Sequence, residues 1–187
     1  MTIEALAVTL FPVAFLAVLF TGGERFRHKQ IEQDGAAPIN RTLFYGSKYL
    51  IVVLWAAMVL ASWGVKVSFF DGPVPLKRAA MCVWVVGFIL LFAGRFGLGD
   101  SFRIGQPKES TRLRVDGLFR ISRNPMYLGV YATLLASVLH TLNPVLFLFG
   151  TFIVAVHHRI VLAEETYLRK AFGREYAEYC RRVRRYL

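Results

Sequence analysis

Residues 143–163 read NPVLFLFGTFIVAVHHRIVLA, and this stretch decides the fold of the chain. From Pro144 onward, Arg159 is its one charged side chain. A helix needs about 20 apolar residues to cross the roughly 30 Å hydrocarbon core of a bilayer. Asn is a good N-cap and Pro a good first helical residue, so Asn143-Pro144 marks the start of this helix. The stretch therefore predicts a transmembrane helix over residues 144–163.

Four more apolar stretches are long enough, or nearly long enough, to cross a membrane. Hydrophobic residues make up 56% of the chain, above the roughly 45–50% that is usual in soluble domains. The short turn at 141–143 predicts that the last two spans form a tight helical hairpin. We therefore predict an all-α fold, a polytopic membrane bundle of about five transmembrane helices in one integral membrane domain, 1–187. The other four spans are predicted at residues 3–21, 43–65, 79–98 and 125–140.

Lysine and arginine residues are divided unevenly between the connections, which predicts the orientation in the membrane. Residues 22–42, residues 95–124 and the tail from Arg159 onward carry nineteen of them, whereas the 65–78 connection carries three. Cytosolic segments are enriched in basic residues, so we expect the N-terminus outside and the C-terminus in the cytosol. This topology also accounts for the net charge of +11. The expected partner is therefore the lipid bilayer and not a nucleic acid.

The segment after the fifth span has the pattern of an amphipathic helix and not of a sixth span. Between residues 164 and 183, apolar side chains recur every three or four residues, and basic side chains lie between them. Such a cytosolic helix suits the membrane interface, where its arginines would face anionic headgroups. It suits equally well a position folded back over the cytosolic mouth of the bundle. The apolar positions are Leu168, Phe172, Tyr176, Tyr179 and Val183.

The cysteine and histidine residues do not form a metal-binding pattern. Neither Cys82 nor Cys180 has a neighbour at the spacing of a metal ligand, and we interpret both as packing residues. His157 and His158 are adjacent, so they face different directions on a helix and lack further ligands nearby. The sequence therefore predicts no metal site.

Polar residues concentrate at two places that the hairpin would bring to the same face of the membrane. The first is GLFRISRNPMYLG at 117–129, and the second is Glu164-Glu165 at the end of the fifth span. A helix N-terminus and arginines favour anions, whereas carboxylates favour cations and hydroxyl groups. Together they suit a zwitterionic ligand. The same residues also have a purely structural explanation, as a helix start at Asn124-Pro125, positive-inside arginines and the acidic first turn of the tail helix.

These residues resemble the isoprenylcysteine carboxyl methyltransferase family, a broad group that includes the membrane phospholipid methyltransferases. The family pattern is Gly-x-(Phe/Tyr)-Arg, then Arg-His-Pro-x-Tyr-x-Gly, then Glu-Glu followed by Phe-Gly-x-x-Tyr. The resemblance covers about the C-terminal half of the chain, and 112–187 is expected to be the cofactor-binding half, whereas 1–99 carries three generic spans. The matching elements occur in the family's order at 117–120, 123–129, 164–165 and 172–176.

The resemblance implies an integral membrane methyltransferase that uses S-adenosylmethionine and a lipophilic or membrane-embedded acceptor. The donor would lie in a cytosolic pocket made by the last two spans and the tail helix. Gly129 would let a ligand approach the helix backbone closely. Asn124 would cap the fourth span and donate a hydrogen bond to the ligand. The implied cofactor-binding residues are Arg120, Arg123, Asn124, Pro125, Tyr127, Gly129, Glu164 and Glu165.

Two departures from the family pattern bear on the reaction. Asn124 stands where the family has a histidine, and an amide cannot act as a base. Leu162 and Ile160 stand where the prenylcysteine enzymes of the family have arginines, so recognition of a prenylcysteine carboxylate is not expected. A carboxylate acceptor would need no base. An amine or thiol acceptor would need one, and Glu165 is the nearest candidate catalytic residue.

Two other classes of function stay open at this point. The C-terminal pocket also resembles that of the membrane sterol reductases, which bind NADPH, although this chain is shorter than those enzymes. The other alternative is a non-catalytic membrane protein that keeps the fold, for which the loss of the family histidine at Asn124 is the argument. A comparison of S-adenosylmethionine binding with NADPH binding distinguishes a methyltransferase, a reductase and a non-catalytic protein.

Overall fold

Five α-helices make up the bundle in the computed structural model, which describes residues 3–28, 37–99 and 113–187, with side chains for all of these except 20–28. The predicted all-α fold is confirmed. Parts of the two basic connections, 22–42 and 95–124, lie outside the described residues. The helices are α1 (Ile3–His28), α2 (Arg41–Ser62), α3 (Val74–Leu98), α4 (Pro125–Thr141) and α5 (Pro144–Arg182), with a short 3₁₀ helix at Gly117–Arg120.

Three of these helices, α2, α3 and α5, are long and apolar enough to cross a membrane. Within α1 the apolar stretch is shorter, Ile3–Leu19. The 17 residues of α4 make about 25 Å of helix. Most helices start within a few residues of the predicted spans, but α3 begins at Val74 and not at 79, and α1 continues to His28, past its predicted end at 21. Among the described residues, α2, α3 and α5 are therefore the candidate membrane-spanning helices, beside α1 and the 17-residue α4.

The closest helix packing joins α3 to α4, where glycines let the two backbones approach. A Cβ atom built on Gly87 would lie 3.0 Å from the carbonyl oxygen of Gly129, and one built on Gly129 would lie 2.8 Å from that of Gly87. A Cβ atom on Gly94 would collide with the side chain of Met126. Small residues at helix contacts are typical of membrane bundles. This packing fixes α4 on α3 and so fixes where α4 begins.

Aromatic side chains fill the core between α2 and α3. The ring centroid of Phe88 lies 4.9 Å from that of Trp55 and 4.9 Å from that of Trp84. Both indole N–H groups have partners: Trp55 donates to the hydroxyl of Thr133 at 2.9 Å, and Trp84 donates to the carbonyl of Val8 at 3.2 Å. The buried indoles therefore link α2 to α4 and α3 to α1 without leaving an unpaired donor.

A tight turn at Leu142 and Asn143 joins α4 to α5, and the predicted hairpin is confirmed. Leu142 has a φ of 43°, in the left-handed region, which ends α4. The side chain of Asn143 accepts from the N–H groups of Val145 at 2.9 Å and Leu146 at 3.4 Å, as predicted for an N-cap. Because the hairpin is antiparallel, the start of α4 lies beside the later part of α5.

The helix α5 does not end at residue 163, where the sequence predicts that a separate tail helix begins. It continues to a kink at Gly173, whose φ of 47° and ψ of −116° strongly favour glycine. Glu164 and Glu165 are good helix formers, so the helix passes through them. They are therefore interior residues of α5 and not the acidic first turn of a new helix, and that structural explanation is wrong.

Candidate active site

The C-terminal segment, residues 174–187, folds back onto the turn that precedes α4. The hydroxyl of Tyr179 donates to the carbonyl of Phe119 at 2.6 Å. The backbone N–H of Arg123 donates to the carbonyl of Arg184 at 3.0 Å. Of the two positions that the sequence leaves open for the tail, the structure therefore shows the folded-back one.

Glu165 is the centre of an ion network that joins α5, the turn before α4 and the C-terminal segment. Nη2 of Arg123 donates to its Oε1 at 2.7 Å, and Nη2 of Arg185 donates to its Oε2 at 2.8 Å. The Nε atoms of the two arginines also donate to Oε1, at 3.2 Å and 3.1 Å. Arg123 makes a further hydrogen bond to the carbonyl of Val183 at 2.7 Å. We call Glu165, Arg123 and Arg185 the Glu165 network.

The Glu165 network carries an excess of positive charge. The side chain of Glu165 is 4% exposed, that of Arg123 is 9% exposed and that of Arg185 is 32% exposed. Burial alone would lower the pKa of Arg123, but the hydrogen bond and the charge of Glu165 outweigh burial and raise it. The hydrogen bond to Glu165 also raises the pKa of Arg185. Arg123 and Arg185 thus face one carboxylate, and the guanidinium of Arg169 lies 3.9 Å from it as well, which leaves an excess of positive charge at this place.

Glu164, the neighbour of Glu165 in the chain, has a different partner. The hydroxyl of Tyr127 donates to the two carboxylate oxygens of Glu164, at 3.1 Å and 3.2 Å. Adjacent side chains on a helix are rotated by about 100° from each other, which explains why the two glutamates face different groups. Glu164 is only half-buried. A carboxylate has about four lone-pair sites, so Glu164 can accept further hydrogen bonds from a ligand.

The side chain of His157 is buried beside Tyr127, and neither of its ring nitrogens has a hydrogen-bond partner among the described residues. The hydroxyl oxygen of Tyr131 is also buried, with the phenol of Tyr186 as its polar neighbour. His157 is 4% exposed, and its ring centroid lies 5.5 Å from that of Tyr127 and 6.4 Å from that of Tyr131. A buried polar group without a partner costs roughly 1–3 kcal/mol. These atoms therefore indicate a place for a polar ligand or for water.

His157 is not among the predicted site residues, because its place next to His158 suggested only a metal ligand. The signal that could have found it is spacing: His157 precedes Glu164 by seven residues, which places both on one face of a helix. Across the described ranges, no three His, Cys, Asp or Glu side chains are grouped as a metal site requires.

Asn124 makes a different contact from the predicted one. Its side chain forms no capping hydrogen bond with α4, so the predicted cap is wrong. Nδ2 of Asn124 instead donates to the carbonyl of Arg185 at 3.0 Å, because the folded-back segment brings that carbonyl beside it. Pro125 is buried at the first position of α4, where a missing N–H has no cost. Both residues therefore shape the junction between α4 and the C-terminal segment.

Gly129 and Arg120 lie in contrasting surroundings. Gly129 is buried against α3, so the close approach that it allows is to the backbone of α3 and not to a ligand. Packing alone explains why a glycine stands there. Arg120 is exposed at the end of the 3₁₀ helix, on the same turn as Arg123. Its guanidinium is a solvent-accessible cation three residues before Arg123.

The sequence of this chain is similar to those of known methyltransferases. Residues 76–175 match the model of a protein family described as phospholipid methyltransferase. Over 191 residues, the chain is 29% identical to methanethiol S-methyltransferase 1 of Bradyrhizobium diazoefficiens. The alignment covers 97% of this chain and 66% of that protein, so the chain spans just under two thirds of its relative's length. The family match runs from α3 into the part of α5 beyond Gly173 and includes Arg123, Glu164 and Glu165.

Proposed function

The chain belongs to the phospholipid methyltransferase family, and we propose that it transfers the methyl group of S-adenosylmethionine to a lipophilic acceptor that enters from the membrane. The observation that carries this proposal is the pair of adjacent carboxylates with unlike partners. Glu165 is held by Arg123 and Arg185, whereas Glu164 is contacted by the phenol of Tyr127 and is half-buried. One carboxylate thus builds the site, and the other is available to a ligand.

The charges of the site match the two ends of the donor. The amino-acid end of S-adenosylmethionine carries a carboxylate and an ammonium group, and its ribose carries hydroxyl groups. The excess positive charge of the Glu165 network suits the carboxylate, and Glu164 suits the ammonium group or the hydroxyls. We assign direct contacts with the donor to Arg120, Tyr127 and Glu164. The residues that hold the shape of the site are Arg123, Asn124, Pro125, Gly129 and Glu165.

Glu164 is a better proton acceptor than Glu165, which the sequence predicts as the base. When bound, S-adenosylmethionine supplies an electrophilic methyl group that reacts by displacement, so the protein's task is mainly positioning. Both oxygens of Glu165 already accept from guanidinium groups. A carboxylate held in this way strongly favours its charged form and is a weak base. Glu164 accepts instead from the neutral phenol of Tyr127, and we therefore assign the proton-accepting role to Glu164.

For the acceptor we propose a thiol. The name of the relative that aligns over 97% of this chain states methanethiol S-methyltransferase activity. A thiol loses its proton when its sulfur is methylated, so it requires the base that Glu164 provides. A carboxylate acceptor would need cations at the mouth of the site, and Leu162 and Ile160 stand in place of those arginines.

We also propose that α1 and α4 cross the membrane together with α2, α3 and α5, with the N-terminus outside and the C-terminus in the cytosol. The uneven division of basic residues supports this orientation. Phe69 and Phe70, in the connection between α2 and α3, are exposed, as aromatic side chains at a membrane interface are. The chain would then be one membrane domain, 1–187, with its cofactor-binding half at 112–187.

Titration of the detergent-solubilised chain with S-adenosylmethionine and with NADPH tests the donor. We expect saturable binding of S-adenosylmethionine and none of NADPH. Glu164→Gln should weaken binding by about tenfold, since a hydrogen bond to a charged group contributes about 1.5–3 kcal/mol. Binding of NADPH in place of S-adenosylmethionine would overturn the proposal in favour of a reductase. Binding of neither would favour a non-catalytic protein.

A further inference from the structure

A second polar group lies deeper in the bundle than the pair of Tyr127 and Glu164. Tyr131 follows Tyr127 by four residues in α4, and His157 precedes Glu164 by seven residues in α5. They therefore lie about 6 Å and about 10 Å farther from the end of the bundle at which α4 begins. The rings of Tyr127 and His157 are in edge-on contact, at 84° to each other. The deeper group is thus continuous with the proposed donor site but lies on its membrane side.

The polar atoms of this group would destabilise a core that binds no ligand. The two ring nitrogens of His157 are buried without a hydrogen-bond partner in the described part of the chain, and the buried hydroxyl of Tyr131 faces the phenol of Tyr186. Leucine or phenylalanine would fill the same space without that cost. The ammonium group of Lys48 lies 3.9 Å from the ring centroid of Phe44 and acts electrostatically on His157 and Glu164. The surroundings are therefore those of a polar binding site.

We propose that His157 and Tyr131 bind the reacting group of the methyl acceptor, and that this acceptor is a neutral thiol at the end of an apolar chain. The inference rests on the proposed function. A neutral imidazole offers one donor and one acceptor nitrogen, and a phenol offers both roles as well. A thiol group complements them with one weak donor and one weak acceptor. A charged head group would lose its hydration in this buried place, whereas a neutral one loses little.

The location also fits the path of a lipophilic molecule. An acceptor that enters from the bilayer reaches the depth of His157 before it reaches Glu164. Tyr127 contacts both residues, through its ring and through its hydroxyl, and so connects the acceptor group with the proposed base. His157 would thus select and orient the acceptor.

The test uses the full chain in detergent, with 1-butanethiol as the probe. Saturation-transfer NMR without any methyl donor gives the Kd of the thiol, and a separate titration gives the Kd of S-adenosylmethionine. His157→Phe keeps the ring volume and removes both nitrogens, and His157→Gln keeps one donor and one acceptor. The matched control is His140→Phe, because His140 is also a buried histidine with an unpartnered Nδ1 atom, but lies in the last turn of α4.

We expect His157→Phe to weaken thiol binding by about five- to tenfold, in keeping with the loss of one or two hydrogen bonds. His157→Gln should recover most of the affinity, and His140→Phe should leave it unchanged. All three variants should bind S-adenosylmethionine as the parent chain does. Thiol binding that is insensitive to His157→Phe would overturn the inference and would mean that the nitrogens face water. Failure of the parent chain to bind S-adenosylmethionine would instead refute the proposed function.

Discussion

Replacement of Glu165 by glutamine removes a buried charge and leaves two arginines without their shared counter-ion. Loss of one member of a buried ion pair costs about 3–5 kcal/mol. Arg185 is 32% exposed and can turn toward solvent, and Arg123 keeps its hydrogen bond to the carbonyl of Val183 at 2.7 Å. We therefore expect Glu165→Gln to lower the free energy of unfolding by about 3 kcal/mol, the lower end of that range.

Thermal unfolding of the purified chain in detergent measures this loss. In a chain of this size, about 1 kcal/mol shifts the midpoint by about 2–4 °C, so the expected fall is about 6–12 °C. The matched control is Glu164→Gln, one residue away and identical in chemistry. Its amide oxygen can still accept from the hydroxyl of Tyr127, so the unfolding free energy should change by less than about 1 kcal/mol.

Ligand binding and limited proteolysis should separate the two variants further. Glu164→Gln should weaken binding of S-adenosylmethionine although the fold stays intact. Glu165→Gln should loosen the C-terminal segment, because that segment supplies Arg185 and the carbonyl of Val183 to the network. Limited proteolysis should then cut the segment beyond Gly173 faster than in the parent chain. Equal midpoints for the parent and Glu165→Gln would refute the structural role assigned to the Glu165 network.

Three further predictions test other parts of the structure. Gly129→Ala would bring a methyl group within 2.8 Å of a backbone oxygen of α3 and should cost about 1–3 kcal/mol of stability. The control Gly46→Ala, with no atom within 4 Å of the added methyl group, should not destabilise the chain. The thermal midpoints of the two variants test this difference. In a background without native cysteines, a cysteine at Lys77 should react with an impermeant maleimide from outside and one at Arg174 should not, and labelling of both from one side would exclude the five-span topology. Asn124→Leu removes the hydrogen bond from the Asn124 side chain to the C-terminal segment. Protease should then release that segment faster, and an unchanged rate would show that the hydrogen bond contributes little.

Local signals in the sequence predicted most of the helix starts. The Asn-Pro pairs at 124–125 and 143–144 mark the first residues of α4 and α5 as the structure has them. The end of α5 was predicted ten residues too early, at 163 and not at the kink at Gly173. At residue 163 the composition changes from apolar to charged, which marks the edge of the membrane and not the end of the helix. A helix continues through charged residues until its backbone is broken.

The sequence predicted that residues of the Glu165 network lie close together, but not how they pair. Arg123 and Glu165 are both members, and the sequence suggested that each would bind one end of a zwitterion. In the structure they bind each other, and the partner that completes the network, Arg185, comes from the last three residues of the chain. Its position depends on the direction that the chain takes after Gly173. No local pattern specifies that direction, because it is set by the packing of the C-terminal segment on the turn before α4.

The helix α5 divides its polar residues between two faces, and this division explains why adjacent residues differ in role. His157 and Glu164 are seven residues apart, as are His158 and Glu165, so each pair lies on one face two turns apart. The second face meets the C-terminal segment. His158 is hydrogen-bonded to the hydroxyl of Tyr186 at 2.9 Å, and Glu165 accepts from the guanidinium of Arg185. The first face meets the tyrosines of α4, where Tyr127 donates to Glu164 and the ring nitrogens of His157 have no hydrogen-bond partner among the described residues. Removal of the second face's contacts should therefore destabilise the chain, and removal of the first face's polar groups should change ligand binding.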